Sequence, residues 1–379
     1  MEKDKIQSPA SIAWKRFKKN RAGVISSAFI ILCAFVAIFA YYIIPDDTPN
    51  ANNQILEIST QKPGFSVDML MIPKPNAVPK NNFWKHLIEG QPSRYRYVPY
   101  DSLNITTDNT TVYVFNPEPG SSQRIETIKN SELTSTHFIN DEEARDYILN
   151  NNTIHKRFLL GTDQFGRDFL SRLLLGTRIS LSVGFIAVML SVVIGLFIGG
   201  IGGYFRGFTD DIIMWVINVV WSLPTLLVVI AITFVLGKGV VQVFIAVGFT
   251  MWVEVARVCR GQILSIRETN FVEAGRALGF KNSRIIIRHI TPNILNPIIV
   301  ISAANFATAI LLEAGLSFLG IGVQPPMPSW GSMIKENYAY IILNEAYLAI
   351  LPGLAIMILV LAFMLMGNAL REALNNREI

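Results

Sequence analysis

The segment from Phe271 to Asn296 carries the residue pattern that points most directly to a chemical role. It is basic and prone to form helices, and it lies between two long apolar stretches. It holds no catalytic nucleophile, no metal-binding cluster and no phosphate-binding loop. The chemistry open to such a segment is contact with another protein. We therefore expect a surface loop that a partner grips, in a membrane protein driven from outside rather than in an enzyme.

The local sequence predicts the shape of this loop. Glu273 to Leu278 favours a helix, and Gly279 permits a positive φ that other residues avoid, so the helix ends or bends there. Ser283 is expected to cap a second helix that runs toward the membrane, with Pro292 in its continuation. A short helix parallel to the membrane fits a partner's groove. From the residues alone, a basic loop lying on anionic lipid headgroups is an equal alternative.

The composition indicates a membrane protein. Hydrophobic residues make up 51% of the 379 residues and charged residues only 16%, whereas soluble domains are about one quarter charged. Cys33 and Cys259 lie in different apolar segments, so we expect no disulfide, and two cysteines are too few for a zinc site. The net charge of +5 is concentrated in two segments, which argues against nucleic acid as a partner.

Six transmembrane helices are predicted, because a hydrocarbon core of about 30 Å needs roughly 20 apolar residues. The predicted spans are residues 23–44, about 179–203, 212–236, 239–259, 290–312 and 346–370. The uncharged stretch Ala314–Ile334 is rich in glycine and proline, which break helices. We therefore expect it to be a loop or a re-entrant piece packed against protein.

The basic residues predict the orientation, since they mark the cytoplasmic side. Residues 1–22 hold seven Lys/Arg against two acidic residues, the loop 257–289 holds seven against Glu268 and Glu273, and residues 45–176 hold 13 basic and 16 acidic residues. The first span lacks a small-residue cleavage site, so we expect a retained anchor rather than a signal peptide. The expected organisation is a cytoplasmic segment 1–22, an extracellular insert 45–160, a helical core 161–370 containing the cytoplasmic loop 260–289, and a cytoplasmic C-terminus 371–379.

The insert reads as a separately folded segment. Thr110–Phe115 is rich in β-branched and aromatic residues and predicts a strand. Asn140, followed by three acidic residues, predicts the start of a helix. A structural cap and a docking surface for a soluble partner are equally compatible with this pattern.

Glycines and prolines in the spans predict packing and bending. Gly195, Gly199 and Gly203 recur every four residues, which lets two helices approach closely in lipid; no strand precedes them, so a nucleotide-binding loop is disfavoured. Prolines in spans remove a backbone hydrogen bond. The candidates for hinges in gating are Pro224, Pro292 and Pro352. Static kinks at these prolines are the simpler interpretation.

Carboxylates near the span ends do not form a proton relay. We expect Glu254 and Glu313 to lie close to an interface and to reach water, with Arg257 as the partner of Glu254. The sequence contains no G-x-x-x-x-G-K-[ST], no H-E-x-x-H and no G-x-S-x-G. We therefore predict no catalytic residues and no bound cofactor or metal. If ATP drives the protein, another subunit binds it.

The loop resembles the EAA motif of ABC-importer permeases, in which Glu-Ala-Ala is followed by Gly four residues beyond and then by Ile and Pro. Those positions are held here by Glu273-Ala274-Gly275, Gly279, Ile290 and Pro292. Gly275 stands where the family has its second Ala, a small-for-small change. The positions that the resemblance assigns to ATPase docking are Glu273, Ala274, Gly275, Ala277, Leu278 and Gly279.

Four further segments are similar to the dipeptide/oligopeptide branch of that family. They are Leu160-Gly-Thr-Asp-Gln-Phe-Gly-Arg-Asp-Phe-Leu-Ser-Arg, Gly203-Tyr-Phe-Arg-Gly-Phe-Thr-Asp, Glu313-Ala-Gly-Leu-Ser-Phe-Leu-Gly-Ile-Gly-Val-Gln-Pro-Pro-Met-Pro-Ser-Trp-Gly and Pro352-Gly-Leu-Ala-Ile. The resemblance covers about residues 10–45 and 157–377. Asn368 departs from the family, which usually has Asp there, and the insert is longer than most members carry.

The resemblance implies an all-α polytopic protein with the type I ABC importer permease fold, in a bacterial cytoplasmic membrane and with both termini in the cytoplasm. It implies a second permease, two ABC ATPases that bind ATP and Mg, and an extracellular substrate-binding protein as partners. The implied function is import of dipeptides or oligopeptides. Import of nickel, a metal chelate or an oligosaccharide is the alternative cargo, and a peptide-sensing membrane protein is the alternative class.

Overall fold

The computed structural model of the protein describes residues 9–75, 79–117 and 122–374. Within these residues, long helices pack into a bundle, and a smaller unit built on a β-sheet is inserted between the first long helix and the next. Of the predicted terminal segments, residues 1–8 and 375–379 lie outside the described residues.

The chain begins with three consecutive helices. They are α1 (Pro9–Lys19), α2 (Arg21–Ile38) and α3 (Ala40–Ile43). Asn20 separates the first two, and its side chain accepts a hydrogen bond of 2.9 Å from the Gly23 amide, as an N-cap does. Most of α2 is apolar, yet only Gly23, Ser26 and Ala37 are buried, which is typical of a helix that faces lipid.

The insert has a five-stranded antiparallel sheet and three helices. They are β1 (Phe65–Pro73), α4 (Phe83–Glu89), β2 (Tyr95–Ile105), β3 (Asn109–Val114), β4 (Ile125–Lys129), α5 (Asn130–Leu133), α6 (Asp141–Asn151) and β5 (Thr153–Phe158). The strand order is β4-β3-β2-β1-β5. In β1, Leu70 and Ile72 are buried on one face of the sheet, while Val67 and Met69 are buried on the other.

This sheet corrects the expectation of an all-α chain. The elements outside the insert are helices, as expected. The predicted strand at Thr110–Phe115 is confirmed as β3, one residue earlier. The helix start at Asn140 is also confirmed, because its side chain accepts a 2.8 Å hydrogen bond from the Glu143 amide at the start of α6. Burial of β1 on both faces removes the alternation by which a half-exposed strand is recognised.

The bundle follows the insert. Its helices are α7 (Phe169–Phe205), α8 (Gly207–Ser222), α9 (Thr225–Leu236), α10 (Val240–Ile266), α11 (Asn270–Ala277), α12 (Asn282–Arg284), α13 (Thr291–Phe318), α14 (Trp330–Asn337) and α15 (Tyr347–Leu374). The most extensive contact joins α7 to α10, and α13 packs against both α7 and α15. Phe306 and Phe363 stack with their ring centroids 4.7 Å apart between α13 and α15.

The predicted third span, residues 212–236, is not one straight helix. It is divided into α8 and α9, which meet at an angle of 93°. Pro224 lies at the break and cannot donate a backbone hydrogen bond, so α8 ends before it. In the described residues, five helices are long and apolar enough to span a membrane, and the bent pair makes six if it counts as one span.

Three other boundaries differ from the sequence-based ones. The second long helix begins at Phe169, because Asp168 caps it and its early charges have buried partners. Residues 260–266, expected in the loop, complete α10. In the stretch expected to be a loop, α13 continues to Phe318, and α14 begins at Trp330 behind a capping box formed by Ser329 and Ser332.

Candidate functional site

A short helix, α11, forms the centre of the basic loop, defined here as residues 267–290. Its side chains divide between two faces. Val272 and Gly275 are buried against Phe280 and Ile285, within an apolar cluster that continues into α13. A Cβ on Gly275 would lie 3.5 Å from the Phe280 ring, an ordinary contact distance, so a small side chain such as alanine also fits here. The underside of α11 is therefore joined to the bundle by packing.

The opposite face of α11 is exposed. Phe271 is 47% and Leu278 73% exposed, and Ile287 beyond the turn is 70% exposed. Glu273 and the small residues Ala274 and Ala277 lie on the same open side. Apolar side chains around one carboxylate, on a rigid helix, form a surface suited to another protein.

The turn after α11 depends on Gly279, which has a φ of +73°. The Gly279 amide donates to the Arg276 carbonyl at 2.9 Å, and the Phe280 amide donates to the Gly275 carbonyl at 3.0 Å, which closes the helix end. No atom lies within 4 Å of where a Cβ would stand on Gly279. The requirement for glycine is therefore conformational rather than steric.

The chain returns to the bundle differently from the prediction. Lys281, not Ser283, is the N-cap of α12, and a π-helical turn over Ile285–Ile290 leads into α13. Pro292 lies in the first turn of α13, directly after the π-helical turn and inside one helical run from Asn282 to Phe318, where its nitrogen cannot donate a backbone hydrogen bond. The Phe280 and His289 rings stack with centroids 5.8 Å apart and connect the turn to this lead-in.

Tyr204, at the end of α7, supports the loop from below. Its hydroxyl donates to the Asn282 side chain at 2.8 Å, and Arg267 donates to its backbone carbonyl. The Arg276 guanidinium lies 5.4 Å from the centre of its ring. Sequence reasoning did not single out Tyr204, although the family-like segment Gly203–Asp210 contained the signal.

The same segment contributes two ion pairs beside the loop. The Asp210 carboxylate accepts hydrogen bonds of 2.6 Å from Nε and from a terminal nitrogen of Arg260. Arg206 forms an ion pair with Glu268. Burial, together with the nearby Arg206 and Arg276, lowers the pKa of Arg267 from its usual value. Cations therefore crowd the base of α11, while Glu273 is the acidic group on its exposed face.

The three spaced glycines of α7 face α10. A Cβ on Gly195 would lie 2.5 Å from Val255, one on Gly199 2.3 Å from the Ala256 carbonyl oxygen, and one on Gly203 2.9 Å from the Arg260 carbonyl oxygen. These distances are shorter than side-chain contacts allow. The glycines thus set how closely the helix that carries Tyr204 approaches the helix that enters the basic loop.

A buried charge cluster lies at the other end of α7. Its members are Asp163, Arg167, Arg172 and Glu336, of which the two arginines are 2% or less exposed. Arg167 donates to Asp163 at 2.6 Å and to Glu336 at 2.7 Å, and Arg172 lies 3.5 Å from both carboxylates. The family-like segment 160–172 supplies three of these residues, and Arg172 also donates to the Pro326 carbonyl at 3.3 Å, within the second such segment, 313–331.

The cluster also holds the start of the insert. Arg167 reaches the Asn52 side chain at 3.3 Å, and Ser171 accepts a hydrogen bond of 3.0 Å from the Asp46 amide. Asp168 caps α7 through the Ser171 amide at 2.7 Å. Burial raises the pKa of Asp168, and the hydrogen bonds from Ser171 oppose that shift.

The other predicted residues are dispersed through the bundle. Pro224 lies at the break between α8 and α9, and Pro352 lies inside α15. Arg257 does not turn toward Glu254 as expected. Its guanidinium lies 3.3 Å from the centre of the Trp221 ring and donates to Asn218.

Glu313 does not reach water as expected. It is fully buried in α13 and accepts hydrogen bonds from Ser317 at 2.7 Å and Ser180 at 3.2 Å. Ser180 of α7 covers Glu313, and the position of Glu313 in the sequence does not reveal this contact. Across residues 9–75, 79–117 and 122–374, no group of three or more His, Cys, Asp or Glu side chains is arranged to hold a metal ion.

Comparison with known proteins matches both ends of the chain to transport components. Residues 191–378 match the family described as the inner membrane component of binding-protein-dependent transport systems. Residues 8–63 match the N-terminal transmembrane domain of oligopeptide transport permease C.

Two of the relatives and one of the solved structures that resemble the chain illustrate the match. The glutathione transport system permease protein GsiD of Pectobacterium atrosepticum is 39% identical, covering 57% of this chain and 71% of that protein. The dipeptide transport system permease protein DppC of Alkalihalophilus pseudofirmus is 40% identical, covering 57% and 70%. An inward-facing structure of the MetNI methionine ABC transporter is 20% identical, with a TM-score of 0.46, covering 54% of this chain and 97% of that one.

Proposed function

The chain belongs to the family of binding-protein-dependent ABC importer permeases, and we propose that it imports dipeptides or oligopeptides while an ATPase grips its basic loop. As a permease subunit it spans the bacterial inner membrane. The observation that carries the proposal is the two-sided α11, whose buried face joins the bundle and whose exposed face carries Phe271, Glu273 and Leu278.

Coupling requires a contact that differs between two states of the machine, and a path that carries it into the bundle. From α11, one path runs through Val272, Phe280 and Ile285 into α13. A second path runs through Asn282 to Tyr204 and α7. A push on the exposed face therefore reaches two of the long helices without passing through a flexible linker.

The proposed partners follow from membership of the importer family. Two ABC ATPases supply ATP and Mg and close on the basic loops, a second permease completes the path, and an extracellular binding protein delivers the cargo. Glu273, Ala274, Gly275, Ala277, Leu278 and Gly279 are the docking positions. In this proposal the loop and both termini lie in the cytoplasm, and the insert lies outside. The lipid bilayer surrounds the spans.

The cargo proposal rests on two independent likenesses. One relative is described as a dipeptide permease and another as a glutathione permease, and glutathione is itself a small peptide. Residues 8–63 add the likeness to an oligopeptide permease. Nickel, metal chelates and oligosaccharides remain the alternative cargo, and a peptide sensor the alternative class.

A charge reversal on the exposed face of α11 tests the docking surface. Glu273→Lys changes a residue that is exposed, so the fold of the permease should be preserved. Loss of a central contact in an interface costs about 2 kcal/mol or more, so we expect ATPase association to weaken at least about thirtyfold and uptake to fall with it. Copurification of the ATPases and ATP-driven peptide uptake in proteoliposomes measure the two effects.

Glu142→Lys, on the exposed start of α6, is the matched control and should leave both readouts unchanged. Binding-protein affinity should be the same in both variants. Normal uptake by Glu273→Lys at normal permease content would refute the docking assignment. Competition of that uptake by dipeptides, glutathione or metal chelates separates the cargo alternatives, and complete absence of transport would favour the sensor.

A further inference from the structure

The helix α4 of the insert is amphipathic although it is only two turns long. Phe83, Trp84, Leu87 and Ile88 share one side of the helix, at the spacing that brings side chains together. Lys85 and Glu89 lie on the other side, with their charged groups 3.8 Å apart. Phe83 is 55%, Trp84 69% and Ile88 60% exposed. Within the part of the chain that the structure describes, this apolar face is therefore left uncovered.

Contacts with α3 fix the height of this helix relative to the membrane. Phe83 stacks on Tyr42 with centroids 5.4 Å apart, and the Tyr42 hydroxyl donates to the Phe83 carbonyl at 3.2 Å. Tyr42 is next to the last residue of the first span, Arg21–Ile43. At 1.5 Å per residue, those 23 residues extend about 34 Å, enough to cross the hydrocarbon core. Tyr42 thus marks its far boundary.

A contact with α7 gives the same height independently. Arg178 donates to the Leu87 carbonyl at 3.0 Å and to the Ile88 carbonyl at 3.3 Å, and so satisfies the end of α4. Arg178 immediately precedes the uncharged run 179–205 of α7. A cation at the start of such a run marks the level of the lipid headgroups. Both neighbours therefore hold α4 at the boundary between hydrocarbon and water.

The exposed face of α4 continues a surface that already faces lipid. Ile31, Phe35, Ile38 and Tyr42 are exposed and spaced along one side of the first span. Phe83 packs on the last member of this stripe. Aromatic side chains at such a boundary lie in the headgroup region, between the apolar hydrocarbon on one side and water on the other.

We propose that α4 is an interfacial anchor, whose Phe83, Trp84 and Ile88 insert into the lipid leaflet on the insert's side of the membrane. The occupant of the apolar face is the lipid surface itself. Since α4 lies between β1 and β2, the anchor holds the sheet of the insert against the membrane next to the first two long helices. This role concerns the insert and is independent of the docking of an ATPase.

Position-specific fluorescence quenching tests the anchor in the full chain. In a variant in which Cys33 and Cys259 are replaced by serine, a single cysteine is introduced as Trp84→Cys, Ile88→Cys, Lys85→Cys or Glu89→Cys and labelled with bimane. The protein is placed in phosphatidylcholine–phosphatidylglycerol vesicles that contain lipids brominated near the headgroup or near the chain end. The four positions lie on one short helix, so each pair controls the other.

We expect headgroup-proximal bromine to quench the labels at 84 and 88 at least about threefold more than those at 85 and 89, with blue-shifted emission. Bromine near the chain end should quench all four weakly, because the helix lies in the interface. Equal quenching at the four positions would overturn the proposal. So would protection of 84 and 88 from every lipid quencher, which would assign the face to a protein instead.

Discussion

The two ends of α7 differ in how far the rest of the protein covers their surroundings. At the Phe169 end, Asp163, Arg167, Arg172 and Glu336 form a buried cluster of ion pairs with one another, in which Nε and one terminal nitrogen of Arg172 lie at ion-pair distance without a hydrogen bond. At the Phe205 end, the basic loop buries one side of α11 and leaves the other side exposed and partly apolar. The first end is closed, and the second offers a surface.

This difference indicates what each end does when the transporter changes state. Buried charges must keep their partners, because an unpaired charge in a low-dielectric interior is costly. The cluster therefore holds the insert, α7 and α14 in one arrangement. The basic loop is fixed below by packing and hydrogen bonds but has an uncovered apolar face, which suits a contact that is made and altered by a partner.

The largest effect is expected from opening the charge cluster. Arg167→Met removes the donor to Asp163 at 2.6 Å and to Glu336 at 2.7 Å. Breaking a buried pair from one side costs about 3–5 kcal/mol. We expect a marked drop in the thermal stability of the purified permease, measured by size-exclusion chromatography after heating in detergent.

Arg145→Met, on the exposed side of α6, is the control for this change and should melt like the natural chain. If Arg167→Met melts at the same temperature as Arg145→Met, the cluster is not the closed joint described above. The Phe169 end of α7 would then not differ from the Phe205 end in the way described.

A smaller effect is expected from separating α7 and α10. Gly199→Val places a Cβ 2.3 Å from the Ala256 carbonyl oxygen, so the helices must move apart. Overpacking of this kind costs about 1–3 kcal/mol. Gly199 lies near the end of α7 that leads to the basic loop. We therefore expect the loss of ATP-driven uptake to be larger than the loss of thermal stability.

Gly200→Ala provides the adjacent control, since its Cβ would meet only the Ile263 Cδ1 atom, at 4.0 Å. Alanine also favours a helix over glycine by about 1 kcal/mol, so stability should be kept or slightly raised. Equal effects of Gly199→Val and Gly200→Ala would show that close approach of the helices is not what these glycines provide.

Local chemistry was sufficient to predict the first half of the basic loop but not its return to α13. The helix around Glu273 and the turn at Gly279 follow from propensity and from the φ that glycine permits, and both are present. The roles of these residues remain predictions. The supporting contacts were not predictable, because Tyr204 and Asn282 are 78 positions apart. Only the folded bundle brings them together.

The insert shows a different kind of failure. β2 carries Pro99 in its interior, which argues against a strand, and β1 is buried on both faces, which hides its alternation. Similarly, Arg167 and Glu336 are 169 positions apart, so their pairing had no local signal. Glu313 appeared close to water because its distance from the span end was visible and the covering Ser180 was not.

The smallest predicted effect tests the second path from the basic loop into the bundle. Tyr204→Phe removes the 2.8 Å hydrogen bond to Asn282 and keeps the ring under Arg276. A single neutral hydrogen bond contributes about 0.5–1.5 kcal/mol, so the melting temperature should change little. Uptake per ATP hydrolysed should nevertheless fall, because the loop is joined to α7 through this bond. Tyr113→Phe on β3 is the control. If the ratio of uptake to hydrolysis is unchanged in Tyr204→Phe, this hydrogen bond does not carry the push, and the path through Phe280 to α13 or the bond from Arg267 to the Tyr204 carbonyl is sufficient.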